Sequence, residues 1–309
     1  MSANVESMFY VREVPWHGLG TKLDNPPTSA EAIVAAGLDW NVFQKELTTE
    51  DGLQTNLLGN FRGDNNQFLG AVTDRYKIVQ NKEAFDFMDE LSAHEVQYET
   101  AGVLGVGQNV WLLAKMDNFK VLDDDISGYL CLNNSHDGKG SIRVAVTPVR
   151  VVCQNTLSLA LRSTKRVWST CHKGDFRSKK LQAVETLGLY RNYMTVLREI
   201  AEKLQQTPVS NDKAYKFTKE IFSTKDEDSD LRIRNLKAQQ EELMYRFTEA
   251  PDIANFRNTG WGFINAVTDF AGHSDPLRIT DTYEEKRFKN LVFDNNKIVD
   301  QALTLVKSA

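Results

Sequence analysis

Between residues 96 and 147 the chain alternates apolar and polar side chains in four runs, split by glycine-bearing breaks. Runs with a period of two bury one face only as strands of a sheet, because successive side chains point to opposite sides. Residues 96–103 and 109–116 flank Leu104-Gly105-Val106-Gly107-Gln108, and residues 128–133 and 141–147 flank a second turn at 134–140. Both read as hairpins. Pro148 has no N–H to give a ladder, so the last strand must end there or lie at an edge. A helix over 154–161 is predicted to follow.

Upstream, Thr28 with Glu31 is a capping-box pattern for a short helix ending at Ala36, and Gly37 suits a left-handed helix end. Further strands are predicted at 39–43, 53–58 and 68–72. Asn81 is read as the cap of a helix carrying Ala84, Phe85, Met88 and Leu91 on one face. From Lys179 the spacing becomes helical, with segments at 181–206, 211–222, 231–249, 261–272 and 295–307 and an acidic linker at 223–230. The chain therefore reads as α+β: an antiparallel sheet with helices on one face over residues 1–178, then a mainly helical part over 179–309.

A chain of 309 residues, 41% hydrophobic and 26% charged, can bury a sizeable core without disulfides or a metal. No apolar run approaches the ~18 residues of a membrane span. Residues 1–10 lack the basic end and apolar stretch of a secretory signal. Three cysteines, Cys131, Cys153 and Cys171, make no disulfide framework and suit a reducing compartment. The expectation is a cytoplasmic protein without membrane contact.

Candidate chemical motifs fail on spacing. Gly138-Lys139-Gly140-Ser141 lacks the upstream glycine of a phosphate loop, and a strand follows it, so it reads as a hairpin turn. Gly102, Gly105 and Gly107 stand in the reverse order of a dinucleotide fingerprint and read as turn residues. Cys131, His136, Cys153, Cys171 and His172 show neither metal-ligand nor nucleophile–base spacing. His17, crowded with Trp16 and Gly18, reads as a structural histidine or, alternatively, a catalytic base. No cofactor, no metal and no catalytic residue is expected, and the chain leans toward a non-enzyme.

Charge is the strongest functional signal. Between residues 137 and 180 stand ten basic residues: Lys139, Arg143, Arg150, Arg162, Lys165, Arg166, Lys173, Arg177, Lys179 and Lys180. Only Asp137 and Asp175 oppose them, although the whole chain carries −5. Trp168 and Phe176 are interleaved with these cations. Cations that take phosphates, beside aromatics on which bases stack, suit a single strand of nucleic acid. The same residues also suit an ordinary solvated face.

Four ordered blocks carry a resemblance. They are Pro15-Trp16-His17-Gly18-Leu19-Gly20-Thr21, Ala35-Ala36-Gly37-Leu38-Asp39-Trp40, the stretch from Thr147-Pro148-Val149-Arg150 through Cys153-Gln154-Asn155-Thr156-Leu157, and Asn265-Ala266-Val267-Thr268-Asp269, with Trp261-Gly262 ahead of the last. Together they resemble a phage/plasmid-like family of unknown function, which implies a mobile-element protein in the host cytoplasm. The order of hairpins and a basic helix also resembles, more distantly, single-strand annealing proteins of the RecT, Redβ and Erf types. That likeness implies a homo-oligomer holding single-stranded DNA non-catalytically in recombination or replication, with Arg143, Arg150, Arg162, Lys165 and Arg166 facing phosphate. The alternative expectation is a factor that binds a host protein and modulates defence or metabolism through the acidic helical part.

Overall fold

The structure, a computed structural model of the chain, describes residues 5–12, 20–91, 97–122, 124–150, 167–176, 178–179, 190–276, 283, 286–287, 290 and 296–308. The fold is α+β, as the hairpin-then-helix pattern predicts. Among the described residues ten strands run in chain order: β1 (Val5–Val11), β2 (Thr21–Leu23), β3 (Val42–Thr48), β4 (Gln54–Arg62), β5 (Phe68–Thr73), β6 (Gln97–Leu104), β7 (Asn109–Val121), β8 (Asp124–Ser135), β9 (Ile142–Arg150) and β10 (Val167–Thr170). They form two sheets, a seven-stranded one ordered β10-β9-β8-β7-β6-β1-β2 and a three-stranded one ordered β3-β4-β5.

The larger sheet is a meander from β6 to β10 to which the chain start is added. β1 lies antiparallel to β6, with Phe9 opposite Ala101, and parallel to β2. The two predicted hairpin turns are present, and Gly105 and Gly107 hold φ of 67° and 111°, which L-residues avoid. Pro148 lies inside β9 rather than at its end. Among the described residues β10 pairs with Ile142–Ala145 of β9, so the proline stands past that register.

The chain divides into two compact units. The first comprises Met1–Asp117, Tyr129–Val146 and Lys165–Tyr190, the second Asn118–Gly128, Thr147–Thr164 and Arg191–Ala309. In the first, α1 (Ser29–Ala35) opens with the predicted capping box: the Glu31 backbone N–H donates to the Thr28 hydroxyl, and the Thr28 N–H donates to the Glu31 carboxylate. Helix α2 (Asn81–Leu91) buries Ala84, Phe85, Phe87 and Met88 completely, and Phe85 meets Tyr98 of β6 at 5.3 Å between ring centres. Each buried Phe or Met side chain contributes about 1.5–3 kcal/mol by leaving water.

Asn81 does not cap α2. Its amide turns inward and donates to the carbonyls of Leu38 and Trp40, while Glu83 accepts from the Gln80 N–H at the helix start. Arg62 is a second buried polar anchor. Its guanidinium lies 4.4 Å from the Trp40 ring and donates both to Glu6 of β1 and to Asp64.

The second unit is helical. It contains α3 (Tyr190–Gln206), α4 (Asn211–Ile221), α5 (Asp230–Thr248), a 3-10 turn (Pro251–Phe256), α6 (Gly260–His273) and α7 (Lys297–Lys307). Helix α6 is apolar on nearly every side and forms the centre, with Trp261, Phe263 and Ile264 wholly buried. Phe247 of α5 meets Phe263 edge to face, and Phe222 meets Phe270. Ser210, Ser229, Thr259 and Asn296 each cap a helix by accepting a backbone N–H. Among the described residues no helix is long and apolar enough to cross a membrane. The predicted helix at 154–161, the Trp16-His17-Gly18 cluster and residues 181–189 lie outside the described residues.

Candidate nucleic-acid interface

A buried polar network in the first unit decides where the basic residues stand. The turn after β8 places His136 completely out of water, between Asn60 of β4 and Asn81 of α2. Asn60 donates to the His136 carbonyl at 2.7 Å, and the His136 N–H donates to the Gln108 carbonyl at 2.7 Å. Tyr76 donates its hydroxyl to the Ser135 carbonyl at 2.8 Å. The Tyr76 ring also stacks on His172, 4.6 Å between centres and 13° from parallel.

Hydrogen bonding fixes the tautomer of each imidazole. His136 Nε2 faces Asn81 Oδ1 at 3.0 Å, and that amide has its nitrogen committed to carbonyls, so Nε2 carries the hydrogen. His172 Nδ1 faces the Lys77 carbonyl at 3.1 Å, so there Nδ1 donates. The remaining nitrogens, His136 Nδ1 and His172 Nε2, have no hydrogen-bond partner among the described residues. Burial, with no acceptor for a second proton, pushes His136 down to about 3 and His172 to about 4. Both rings are neutral struts at pH 7, not acid–base groups.

This network gathers three segments distant in sequence. The Lys77 N–H donates to the His172 carbonyl at 2.8 Å, which joins residues 74–77 to the stretch after β10. The β8–β9 turn lies against β5 so closely that a Cβ on Gly70 would stand 2.3 Å from the Asp137 carbonyl oxygen. Asp137 is consumed by its own turn, accepting from the Ser135 hydroxyl and from the backbone N–H groups of Lys139 and Gly140. Beside the turn, Ser141 and Ser169 are hydroxyl to hydroxyl at 2.9 Å, and Arg143 stands opposite Ser169 across the β9–β10 ladder.

The result is a basic rim of Arg75, Lys77, Lys139, Arg143, Lys173 and Lys179, against Asp74, Asp137 and Asp175. Arg75, Lys77, Lys139 and Lys173 are exposed and Arg143 is half-buried. Lys179 commits its ammonium to the carbonyls of Cys171 and Lys173, which ties the loop and leaves one N–H donor over. Sequence reasoning missed Arg75 and Lys77, because they precede the basic segment by more than sixty residues. The aromatic between them, Tyr76, anchors this loop through its hydroxyl and its stacking on His172.

Trp168 needs correcting. It is 7% exposed, in register with buried Val144, and its ring meets Phe87 of α2 at 5.6 Å. Phe176 rests on the same Phe87 ring at 5.0 Å. Trp168 is thus a core residue with no open face for a base. Arg150 lies at the end of β9, while Arg162, Lys165, Arg166, Arg177 and Lys180 lie outside the described residues, as does Cys153. Cys131 is a fully buried thiol and Cys171 an exposed one.

Residues 68–292, well over half of the chain, match the family model DUF932, described as a domain of unknown function. No curated protein and no solved structure matches the chain.

Proposed function

The chain belongs to the DUF932 family, a domain of unknown function, and from that premise we propose that it binds single-stranded nucleic acid non-catalytically along the basic rim of its first unit. The observation that carries this reading is the convergence of cations from residues 75–77, 139–143 and 173–179, with the carboxylate of the turn's own Asp137 turned in to accept from the backbone N–H groups of Lys139 and Gly140. An open rim of lysine and arginine tracks phosphates whatever the base sequence. A phage or plasmid setting, the host cytoplasm and an annealing role as a homo-oligomer in recombination or replication belong to the same proposal, on the strength of the sequence resemblance.

The test is binding of a fluorescent ~30-nucleotide single strand at two salt concentrations. Six cations engaged at once give a log–log salt slope of about −4, at about −0.7 for each phosphate. Changing Arg75, Lys77, Lys139 and Lys173 to Glu abolishes binding if the rim is the site. Absence of binding at low salt, or binding unchanged in that variant, overturns the proposal.

A second reading, a host-protein partner on the helical unit, draws on Leu231 and Tyr245 of α5, which are 62% and 65% exposed. Fourteen residues apart, they fall on one helix face. A stoichiometric protein that stays bound to the chain after nuclease treatment of a host lysate would favour that reading.

A further inference from the structure

The three-stranded sheet wears the wrong residues on its open side. On one face Val42, Asn60, Arg62, Leu69 and Val72 are buried, so alternation turns their neighbours outward. Three of those neighbours are phenylalanines. Phe43 pairs with Phe61 and Phe61 with Phe68, which sets three aromatic rings in a row across β3, β4 and β5. Their centres are 5.8 and 5.5 Å apart. Phe68 is 44% exposed and Leu57, farther along the same face, 41%.

Two details keep the row open and charged. Gly59 lies beneath Phe61: a Cβ there would stand 2.6 Å from the ring, so only glycine lets the ring lie flat on the strand. Lys45, on the same face, holds its ammonium 5.1 Å from the Phe43 ring centre and 5.6 Å from that of Phe61.

We propose that Phe43, Phe61 and Phe68 form a base-stacking platform on which Lys45 takes a phosphate of the same single strand. This deepens the nucleic-acid reading and rests on it. Bases of any sequence stack on aromatic faces, and a cation among the rings matches a strand that carries one phosphate per base. Apposition of a second copy would instead bury Lys45 near the centre of an apolar patch, where interfaces are depleted in lysine. The platform also leads to the rim. Phe68 begins β5, and Arg75 and Lys77 follow its end. The six residues of β5 span about 20 Å, a distance a single strand of several nucleotides covers.

The experiment compares a fluorescent 30-nucleotide oligothymidylate with an abasic strand of equal length, using the full chain, Phe68→Ala, and Phe61→Leu with Phe68→Ala. Leucine keeps the apolar bulk of the half-buried Phe61, and urea titration checks that each variant folds. The platform predicts that the native chain prefers the base-bearing strand. It also predicts that each ring lost weakens that binding at least about fivefold while leaving the abasic strand unaffected. Equal binding of both strands by the native chain, with the variants unchanged, overturns the platform but leaves the basic-rim reading standing. Binding of neither strand overturns both. A native dimer that becomes monomeric in Phe68→Ala, with strand binding intact, assigns the face to a second copy and overturns the platform.

Discussion

His136 and His172 make the stability of the first unit depend on pH through a range where most proteins are indifferent. Both rings are held neutral, pushed down to about 3 and about 4 by burial, which the hydrogen bond from His172 to the Lys77 carbonyl offsets only in part. In the unfolded chain an imidazole titrates near 6.5. The unfolded state therefore binds more protons than the native state at any pH between these values, so acid favours unfolding. The contribution is fully present above about 6.5 and is lost as pH falls. At pH 5 the native rings are still neutral, so the loss is set by the distance from 5 to 6.5. At about 1.4 kcal/mol per unit this is about 2 kcal/mol for each ring and about 4 for the pair. Lys179 adds to the effect at His172, while Asp137 opposes it at both rings. Urea titrations near pH 7.5 and pH 5, followed by tryptophan fluorescence, measure it, since Trp40, Trp111 and Trp168 all report on this unit. In His172→Phe, which keeps an aromatic ring against Tyr76, the loss should fall to about half. A pH-dependent loss below about 1 kcal/mol, or one of the same size in His172→Phe, would refute the reasoning.

Further outcomes follow from single substitutions at Arg62, Gly70, Gly262 and Gly272. Arg62→Ala should cost about 3 kcal/mol, the low end for breaking a buried pair, because Glu6 is itself about a third exposed. Arg62→Lys should recover less than half of that, since a point charge cannot bridge Glu6 and Asp64 while lying on Trp40. Gly70→Ala, driven against the Asp137 carbonyl, should cost about 1–3 kcal/mol and weaken strand binding by shifting the turn that carries Lys139. Within α6 two glycines should behave oppositely. Gly262→Ala sets a Cβ 2.1 Å from the Phe256 carbonyl oxygen and should lower the urea midpoint of the second unit, whereas Gly272→Ala meets nothing within 4 Å and should raise it.

What was legible in the chain was local. The hairpins announce themselves because their turn glycines and their period-2 runs are contiguous, and the caps at Thr28 and Gly37 need only neighbours. The insertion of β1 between β6 and β2 is invisible to such reading, because Phe9 finds Ala101 across ninety residues and no local preference encodes that pairing. Asn81 shows the same limit in reverse. An asparagine at a helix start satisfies every rule for a cap, yet tertiary structure offers its amide two carbonyls and an imidazole, and the network wins.

The proposed binding surface divides along the same line. Trp168 was grouped with its cationic neighbours because they are close in sequence, yet the alternation of β10 already sets it on the side of Val144, facing the core. The aromatics that do face outward, Phe43, Phe61 and Phe68, sit in a different sheet and carry no local charge signal beyond Lys45. Charge runs along a chain locate cations well, since a lysine is almost always near water. They locate stacking groups poorly, since an aromatic ring is drawn to the core unless the fold leaves it no place there. Phe61 has no such place: its strand gives the inner face to Asn60 and Arg62, which hold the His136 turn and Glu6. The polar network that fixes the basic rim therefore also forces the rings outward, and a substitution that dissolved the network, such as Asn60→Leu, should disturb rim and platform together.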